Sequence, residues 1–236
     1  MSLKPAHDPS CVLAYPFEEA SDTTVYDQSQ YGRNGTIYGA TRVQGKLGKG
    51  MYFDGVDDYV QSSAFALTGT AISIVAWVKC DEYDKHQTIV SKEKQSSSQG
   101  YIFIYRISNS HGIDFQFATG TGIQALSFWY FFVGYDNQYL FVAFTCDYQN
   151  KILNVYRNGQ LYESRNVADT MIPPSTSSVC YIGSFLRSGF FFKGVIDEVR
   201  LYNRLLSDRE ILELYRYGIS QRARIRLPMF ERVKRR

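Results

Sequence analysis

Apolar and polar positions alternate along much of this chain with a period of two. In GIDFQFA (112–118), Ile113, Phe115 and Phe117 are separated by Asp114 and Gln116, which predicts a strand with one buried face. AISIVAWVK (71–79), YIFIYRI (101–107), QYLFVAFT (138–145) and KILNVYR (151–157) also read as strands. Between them stand Gly, Asn, Asp and Ser. Asn158-Gly159, between LNVYR and QLYES, predicts a tight hairpin, because a type I′ turn needs positive φ at both central residues. Many short strands without intervening helices predict an all-β chain: a two-sheet antiparallel β-sandwich or jelly roll. SKEKQSSSQG (91–100) and MIPPSTSS (171–178) read as loops.

Two stretches break the alternation. In LSFWYFFV (126–133) every position but Ser127 is apolar or aromatic, so both faces of a strand there need cover. SGFFFKG (188–194) sets three Phe between glycines, and at least one of them should be exposed. A single helix stands out near the end. Ser207-Asp208-Arg209-Glu210 forms a capping box, Ile211, Leu212, Leu214 and Tyr215 form an apolar stripe, and Gly218 is placed to stop the helix. The organisation expected is an extension (1–10), one sandwich domain (11–218) and a C-terminal arm (219–236).

Composition agrees with a globular β protein: 236 residues, 44% hydrophobic, 16% aromatic, with 19 Tyr and 16 Phe. The net charge of +3 is unevenly spread. ISQRARIRLPMFERVKRR (219–236) carries about +6, leaving a body near −3. No apolar run reaches the roughly 18 residues of a spanning helix. The N-terminal MSLKPAHDPSCVLAYPFEEA has no apolar h-region or small-residue cleavage site. That predicts a chain that is cytoplasmic at synthesis, and then either stays there, is released by lysis, or is secreted if a signal was removed. Cys11, Cys80, Cys146 and Cys180 lack CxxC spacing, so zinc is disfavoured and free thiols are expected.

Candidate chemistry is sparse. MYFDGVDDYVQ (51–61) places Asp54, Asp57 and Asp58 within five residues. Asp54-Gly55 reads as a tight turn, with Asp bonding its own backbone and Gly supplying positive φ; a rim cation site and catalysis are the alternatives. Asp197-Glu198 and Glu18-Glu19 are adjacent pairs, which point to opposite faces of a strand. His7, His86 and His111 lie in no nucleophile-elbow or zinc-protease motif. No P-loop or dinucleotide fingerprint occurs. The expectation is a protein without catalysis. Asn34-Gly35-Thr36 is formally a glycosylation sequon, but Asn-Gly as a turn is the reading preferred.

VLAYPFEEASDTTVYDQSQYGRNGTI (12–37), GKLGKGMYFDGVDDYV (45–60), AISIVAWVK (71–79), TIVSK (88–92) and FKGVIDEVRLYNRLLSDREILELY (192–215) together resemble the laminin G-like, concanavalin A-like jelly-roll superfamily. The resemblance spans about residues 11–217. It implies the sandwich fold, which hosts lectins, adhesins, glycanases and structural modules. Members that cut β-glucans carry alternating carboxylates on one strand, as in Glu-x-Asp-x-Glu; this chain has no such stretch. The resemblance also implies a structural calcium ion joining the opening turn to the last long strand. Here that points to Asp27 and Asp197, with backbone carbonyls near Asn34-Gly35. FWYFFVGYDN is an elaboration on the family pattern.

Glycan binding on such a scaffold uses exposed aromatic faces, and the candidates are Trp129, Tyr130, Tyr135 and Phe190. The arm, with Arg222, Arg224, Arg226, Phe230, Lys234 and Arg235, mixes charge with apolar anchors and suits docking on an acidic protein. Nucleic acid is disfavoured, because little aromatic character is interleaved for base stacking. The function expected is a structural or recognition module within a larger assembly, such as a virion surface or capsid decoration, built from protein partners or copies of itself. A soluble carbohydrate-binding lectin is the second class. A divergent glycanase is the third, and would need Asp54, Asp57, Asp197 and Glu198 to converge.

Overall fold

The computed structural model describes residues 7–226, apart from 22, 84, 93–101, 108–110, 120–121, 169–170, 172–176 and 186–188. Two eight-stranded antiparallel sheets face each other. The first, sheet A, runs in the order β14 (Gln160–Asn166), β13 (Ile152–Arg157), β12 (Leu140–Asp147), β7 (Ala71–Cys80), β16 (Lys193–Tyr202), β5 (Lys49–Asp54), β4 (Thr41–Gln44), with β1 (Cys11–Tyr15) also paired to β16. Sheet B runs β11 (Gly122–Phe128), β10 (Gly112–Thr119), β9 (Ile102–Ile107), β8 (Gln87–Lys92), β15 (Cys180–Ile182), β6 (Tyr59–Ser62), β3 (Gly35–Tyr38), β2 (Thr24–Val25). This is the expected two-sheet sandwich.

The main core lies between the sheets. Ile72, Ile74, Ala76 and Val78 of β7 and Leu140, Val142, Phe144 and Cys146 of β12 meet Ile113, Phe115 and Phe117 of β10 there. The positions between them face outward, and on sheet A most of them are apolar too, Ser73 and Thr145 excepted. Val75, Trp77, Phe141, Ala143, Tyr156 and Tyr202 form a second core with Ile211 and Leu214 of the helix α1 (Asp208–Arg226), which roofs the sheet's outer face. Strands covered on both sides read as near-continuous apolar runs, as β12 does from Leu140 to Phe144.

Local turn chemistry follows the pattern of the chain. Asn158 and Gly159 have φ of 51° and 79° and close the β13–β14 hairpin. The capping box forms: Ser207 N donates to Glu210 Oε2 at 2.8 Å, and Glu210 N donates to Ser207 Oγ at 3.3 Å. The four cysteines are buried and unbonded to one another.

Two expectations are corrected. Gly218 does not stop the helix, which continues to Arg226. A Cβ at residue 218 would lie 2.7 Å from Trp77 Nε1, so the glycine lets the helix settle on the indole. The stretch 126–133 is not one strand: β11 ends at Phe128 and turns follow. Phe131 and Phe132 fold into the core, while Trp129, Tyr130 and Val133 stay outside. The loops read at 93–100 and 172–176 lie outside the described residues.

Lys92 is 1% exposed at the end of β8. Its Nζ donates to Phe65 O at 2.5 Å, Ser178 O at 2.6 Å and Ser178 Oγ at 3.0 Å. It also sits 4.1 Å above the Phe65 ring, which the Arg33 guanidinium approaches at 4.4 Å. Burial pushes the Lys92 amine down to about 8.

Candidate binding rim and tyrosine strip

Strand register gathers several loops at one end of the sandwich. Lys193 pairs with Asp54, Gly194 with Cys80, Leu140 with Val78, Val142 with Arg157, and Tyr38 with Tyr59. The loops β3–β4, β5–β6, β7–β8, β11–β12, β13–β14 and β15–β16 therefore share this rim. All four aromatic candidates lie on it, in different settings.

Trp129 and Tyr130 are 51% and 68% exposed, with Val133 beside them in sequence at 51%. Their loop is held from below. Tyr162 Oη donates to Trp129 O at 2.9 Å, Arg157 Nη1 to Phe131 O at 3.0 Å, and Phe132 N to His111 O at 2.7 Å. His111 stacks on Tyr83 with ring centroids 4.9 Å apart and places Nε2 3.3 Å from Asp136 Oδ1. Tyr135 is a support of this loop. It packs against the core, lies under the Arg157 guanidinium, and its hydroxyl accepts from Asn158 Nδ2 at 3.2 Å. Phe190 projects from the β15–β16 loop, 48% exposed, against His86 and Phe185. Two of the candidates thus share one loop, a third stands on another, and the fourth is scaffold.

The three acids of the β5–β6 turn lie on the same rim. Asp54 Oδ1 accepts from Val56 N at 2.8 Å, Asp58 Oδ2 accepts from Asp54 N at 2.9 Å, and Gly55 has φ of 83°. These are the bonds of an Asx-type turn. One carboxylate oxygen from each of Asp54, Asp57 and Asp58 falls within 4.8 Å of the others. Burial raises the Asp58 carboxyl. Asp197 and Glu198 belong elsewhere, in the middle of β16. A bulge lies between Asp197 and Arg200, with Glu198 at φ of 51°. Glu198 pairs with Arg200 at 2.6 Å. The four acids that a glycanase would bring together are divided between the rim turn and β16.

Asp27 anchors the opening turn. Its Oδ1 accepts from Ala14 N and Ser29 N, and its Oδ2 from Ser29 Oγ and Arg33 N, all at 2.6–2.9 Å. Asp197 has a separate set of neighbours: Leu47 N donates to it at 2.9 Å, and Glu18 and Glu198 lie near. Arg222, Arg224 and Arg226 fall on the last turns of α1 by backbone, while Phe230, Lys234 and Arg235 lie outside the described residues.

The sequence reading missed a strip on the outer face of sheet B. Tyr38 (42% exposed) stacks on Tyr59 at 4.5 Å, and Tyr59 meets Tyr181 edge-on at 6.0 Å. Gln61, two residues along β6 from Tyr59 and opposite Tyr181, has a buried Oε1 with no protein partner. The signal was present in the outward positions of GTIY and YVQS, where Thr36, Tyr38, Tyr59 and Gln61 alternate with Ile37 and Val60.

Two facing antiparallel sheets, a roofed outer face and a loop-rich rim define a lectin-like sandwich. The chain belongs to the concanavalin A-like lectin/glucanases superfamily, whose model matches residues 54–212. Among solved structures it is similar to the receptor-binding domain of botulinum neurotoxin D, at 16% identity and a TM-score of 0.69, over 89% of this chain and 53% of that one. The serotype D ligand-binding domain solved with N-acetylneuraminic acid gives 16% and 0.67, over 89% and 51%. The chain thus spans about half the length of these toxin domains. Domain 4 of AbnA, a GH43 extracellular arabinanase from Geobacillus stearothermophilus, solved with arabinotriose, gives 21% and 0.69, over 87% of this chain and 98% of that one. At these identities the likeness is one of fold. A search of curated proteins finds no match. No helix among the described residues is long and apolar enough to cross a membrane.

Proposed function

We propose that the protein is a non-catalytic recognition module that binds a carbohydrate chain at its loop rim. The carrying observation is the pair Trp129–Tyr130, more than half exposed on a loop whose backbone is held by Tyr162, Arg157 and His111. Aromatic faces held rigidly in water suit the apolar face of a sugar ring, because little ordering is left for binding to impose. Structural neighbours solved with N-acetylneuraminic acid and arabinotriose support a sugar as the ligand class. The test is a glycan array followed by titration of the best ligand. Replacing both Trp129 and Tyr130 by Ala should weaken binding at least tenfold without lowering the melting temperature. Unchanged binding by that variant overturns the rim assignment.

The tyrosine strip supports a second placement for the sugar, with Tyr38 and Tyr59 as floor and Gln61 Oε1 as acceptor. Loss of binding in Tyr38→Ala, but not in the rim variant, favours it.

The finer role is a subunit or surface decoration of a larger particle such as a virion, docked by the basic arm on an acidic protein. The charge contrast between arm and body supports it. Because α1 runs through Gly218, the variant that tests docking should end at Arg226 and carry Ala in place of Arg222, Arg224 and Arg226. Full-length and truncated chains with equal affinity for the particle, or equal mass by light scattering, would sink the docking role.

A further inference from the structure

The helix α1 runs on past the sheet face that it roofs. Just before its start, Leu206 N donates to Ser73 Oγ, and further along Gly218 lies against Trp77. Over this length α1 therefore follows β7 from Ser73 towards the loop rim. Residues 219–226 of the helix remain, about 12 Å at 1.5 Å per residue. Beyond Trp77, β7 has only Val78, Lys79 and Cys80, about 10 Å of strand. The end of α1 thus reaches the rim on which Trp129 and Tyr130 stand exposed.

Tyr215 marks the face of α1 that turns to the aromatic loop. Its ring stacks on Trp77 at 5.5 Å and meets Phe141 at 5.9 Å. A Cβ on Gly159, in the β13–β14 hairpin, would stand 2.9 Å from Tyr215 Cβ. Tyr135, of the loop that carries Trp129 and Tyr130, lies within electrostatic reach of Tyr215. At about 100° per residue, positions 222 and 226 fall within about 20° of Tyr215 around the helix, and position 224 falls on the opposite face. All three are arginines, and ISQRARIR (219–226) contains no acid. Acids near the aromatic loop are already engaged, Asp136 by His111 at 3.3 Å and Glu163 by Arg165 at 2.6 Å. The acidic turn follows β5, and the sheet order β13, β12, β7, β16, β5 puts it about 19 Å from β13.

We infer that Arg222 and Arg226 complete the rim site and select a carbohydrate bearing an oxyanion, a carboxylate or a sulfate. The inference rests on the reading of the Trp129–Tyr130 loop as the sugar platform and adds the class of sugar. Aromatic faces hold the ring of the sugar, and guanidinium groups hold its oxyanion, because their forked donors match carboxylate and sulfate oxygens. Two like charges at i, i+4 on one helix face repel each other, and an anion placed between them relieves that repulsion. Arg224 lies on the far side of the helix and takes no part.

The test is an array of glycans in matched neutral, sulfated and carboxylated forms, followed by titration of the best matched set against the full-length protein. Wild type should bind a charged member about tenfold or more tightly than its neutral counterpart, and the advantage should shrink as salt rises. The sulfated and carboxylated members show which oxyanion is read. Arg222→Ala combined with Arg226→Ala should remove the advantage while leaving the affinity for the neutral glycan and the melting temperature unchanged. Arg224→Ala should keep the advantage. Equal binding of neutral and charged glycans by wild type, with both lost in the Trp129→Ala, Tyr130→Ala variant, would overturn the arginine assignment and leave the rim reading standing. An advantage lost as fully in Arg224→Ala as in the paired variant would show a diffuse attraction and equally overturn it. No binding to any member of the array would overturn the rim reading and this inference with it.

Discussion

The outer faces of the two sheets are built on opposite plans. On sheet A the outward positions of β7 and β12 are Val75, Trp77, Phe141 and Ala143, and α1 covers them. On sheet B the outward positions of β3 and β6 are Thr36, Tyr38, Tyr59 and Gln61, and they lie partly open. The same period-two backbone carries both. What differs is the residue placed outside, and hence whether water or a helix can lie against it. Sheet A's outer face contributes to stability, as a second hydrophobic core does. Sheet B's outer face, with the rim, keeps aromatic and polar groups within reach of a ligand.

Changes to the roof of sheet A should separate the two plans most sharply. Trp77→Ala opens a void under α1 between Phe141, Tyr215 and Gly218, and should cost about 3–5 kcal/mol in urea unfolding. A loss below about 1 kcal/mol would mean that the helix is not a structural roof. Glycan binding at the rim should survive wherever the protein is folded.

Lys92 gives the next largest effect, and it lies in the shared core rather than on either outer face. Burial pushes its amine down to about 8 in the folded chain, from the ordinary lysine value of 10.5. Between those values the unfolded chain holds a proton that the folded chain has shed, so stability rises with pH across that window. The gain is of order 3 kcal/mol, at 1.36 kcal/mol per unit. Below pH 8 this residue adds no slope. Lys92→Met should flatten the rise while sparing the Phe65–Ser178 backbone pair, which bonds in both directions without the lysine. Denaturant midpoints from pH 7 to pH 10.5 read both curves.

Gly218→Ala tests the roof more gently. The added Cβ forces the helix from Trp77 or the indole from its place, and about 1–3 kcal/mol should be lost, despite alanine's better helix propensity. A stabilised variant would show that Gly218 is there for another reason. Tyr38→Ala, on the open face, should change stability by no more than about 0.5 kcal/mol. A loss as large as that at Trp77 would erase the contrast between the faces.

What could be read from the chain was local. The Asn158-Gly159 turn, the Ser207–Glu210 box and the Asp54-Gly55 turn each need only neighbours within a few residues. The alternation in 112–118 predicted β10, whose core positions are Ile113, Phe115 and Phe117. The exposure of Trp129, Tyr130 and Phe190 was harder to foresee. Within FWYFF, the backbone turn after Phe128 decides which rings point out, with Tyr130 at φ of 60°. Gly218 carried the signature of a helix stop, and Trp77, far away in sequence, made it a packing glycine. The adjacency rule for Asp197 and Glu198 assumed a regular strand, and the bulge removed that assumption.

The sequence by itself determined the class of fold, the hairpin and helix start, and the absence of a strand with alternating carboxylates. These follow from side-chain period and short-range backbone preference, which act without distant partners. The tertiary structure alone decided which apolar strand positions meet the opposite sheet and which meet a helix. It also decided that Asp27 is spent on a turn while Asp197 keeps an open oxygen beside Glu18, and that Tyr38, Tyr59 and Gln61 form one strip. Each of these depends on residues brought together from distant parts of the chain, and burial and hydrogen-bond satisfaction exist only once that packing is complete.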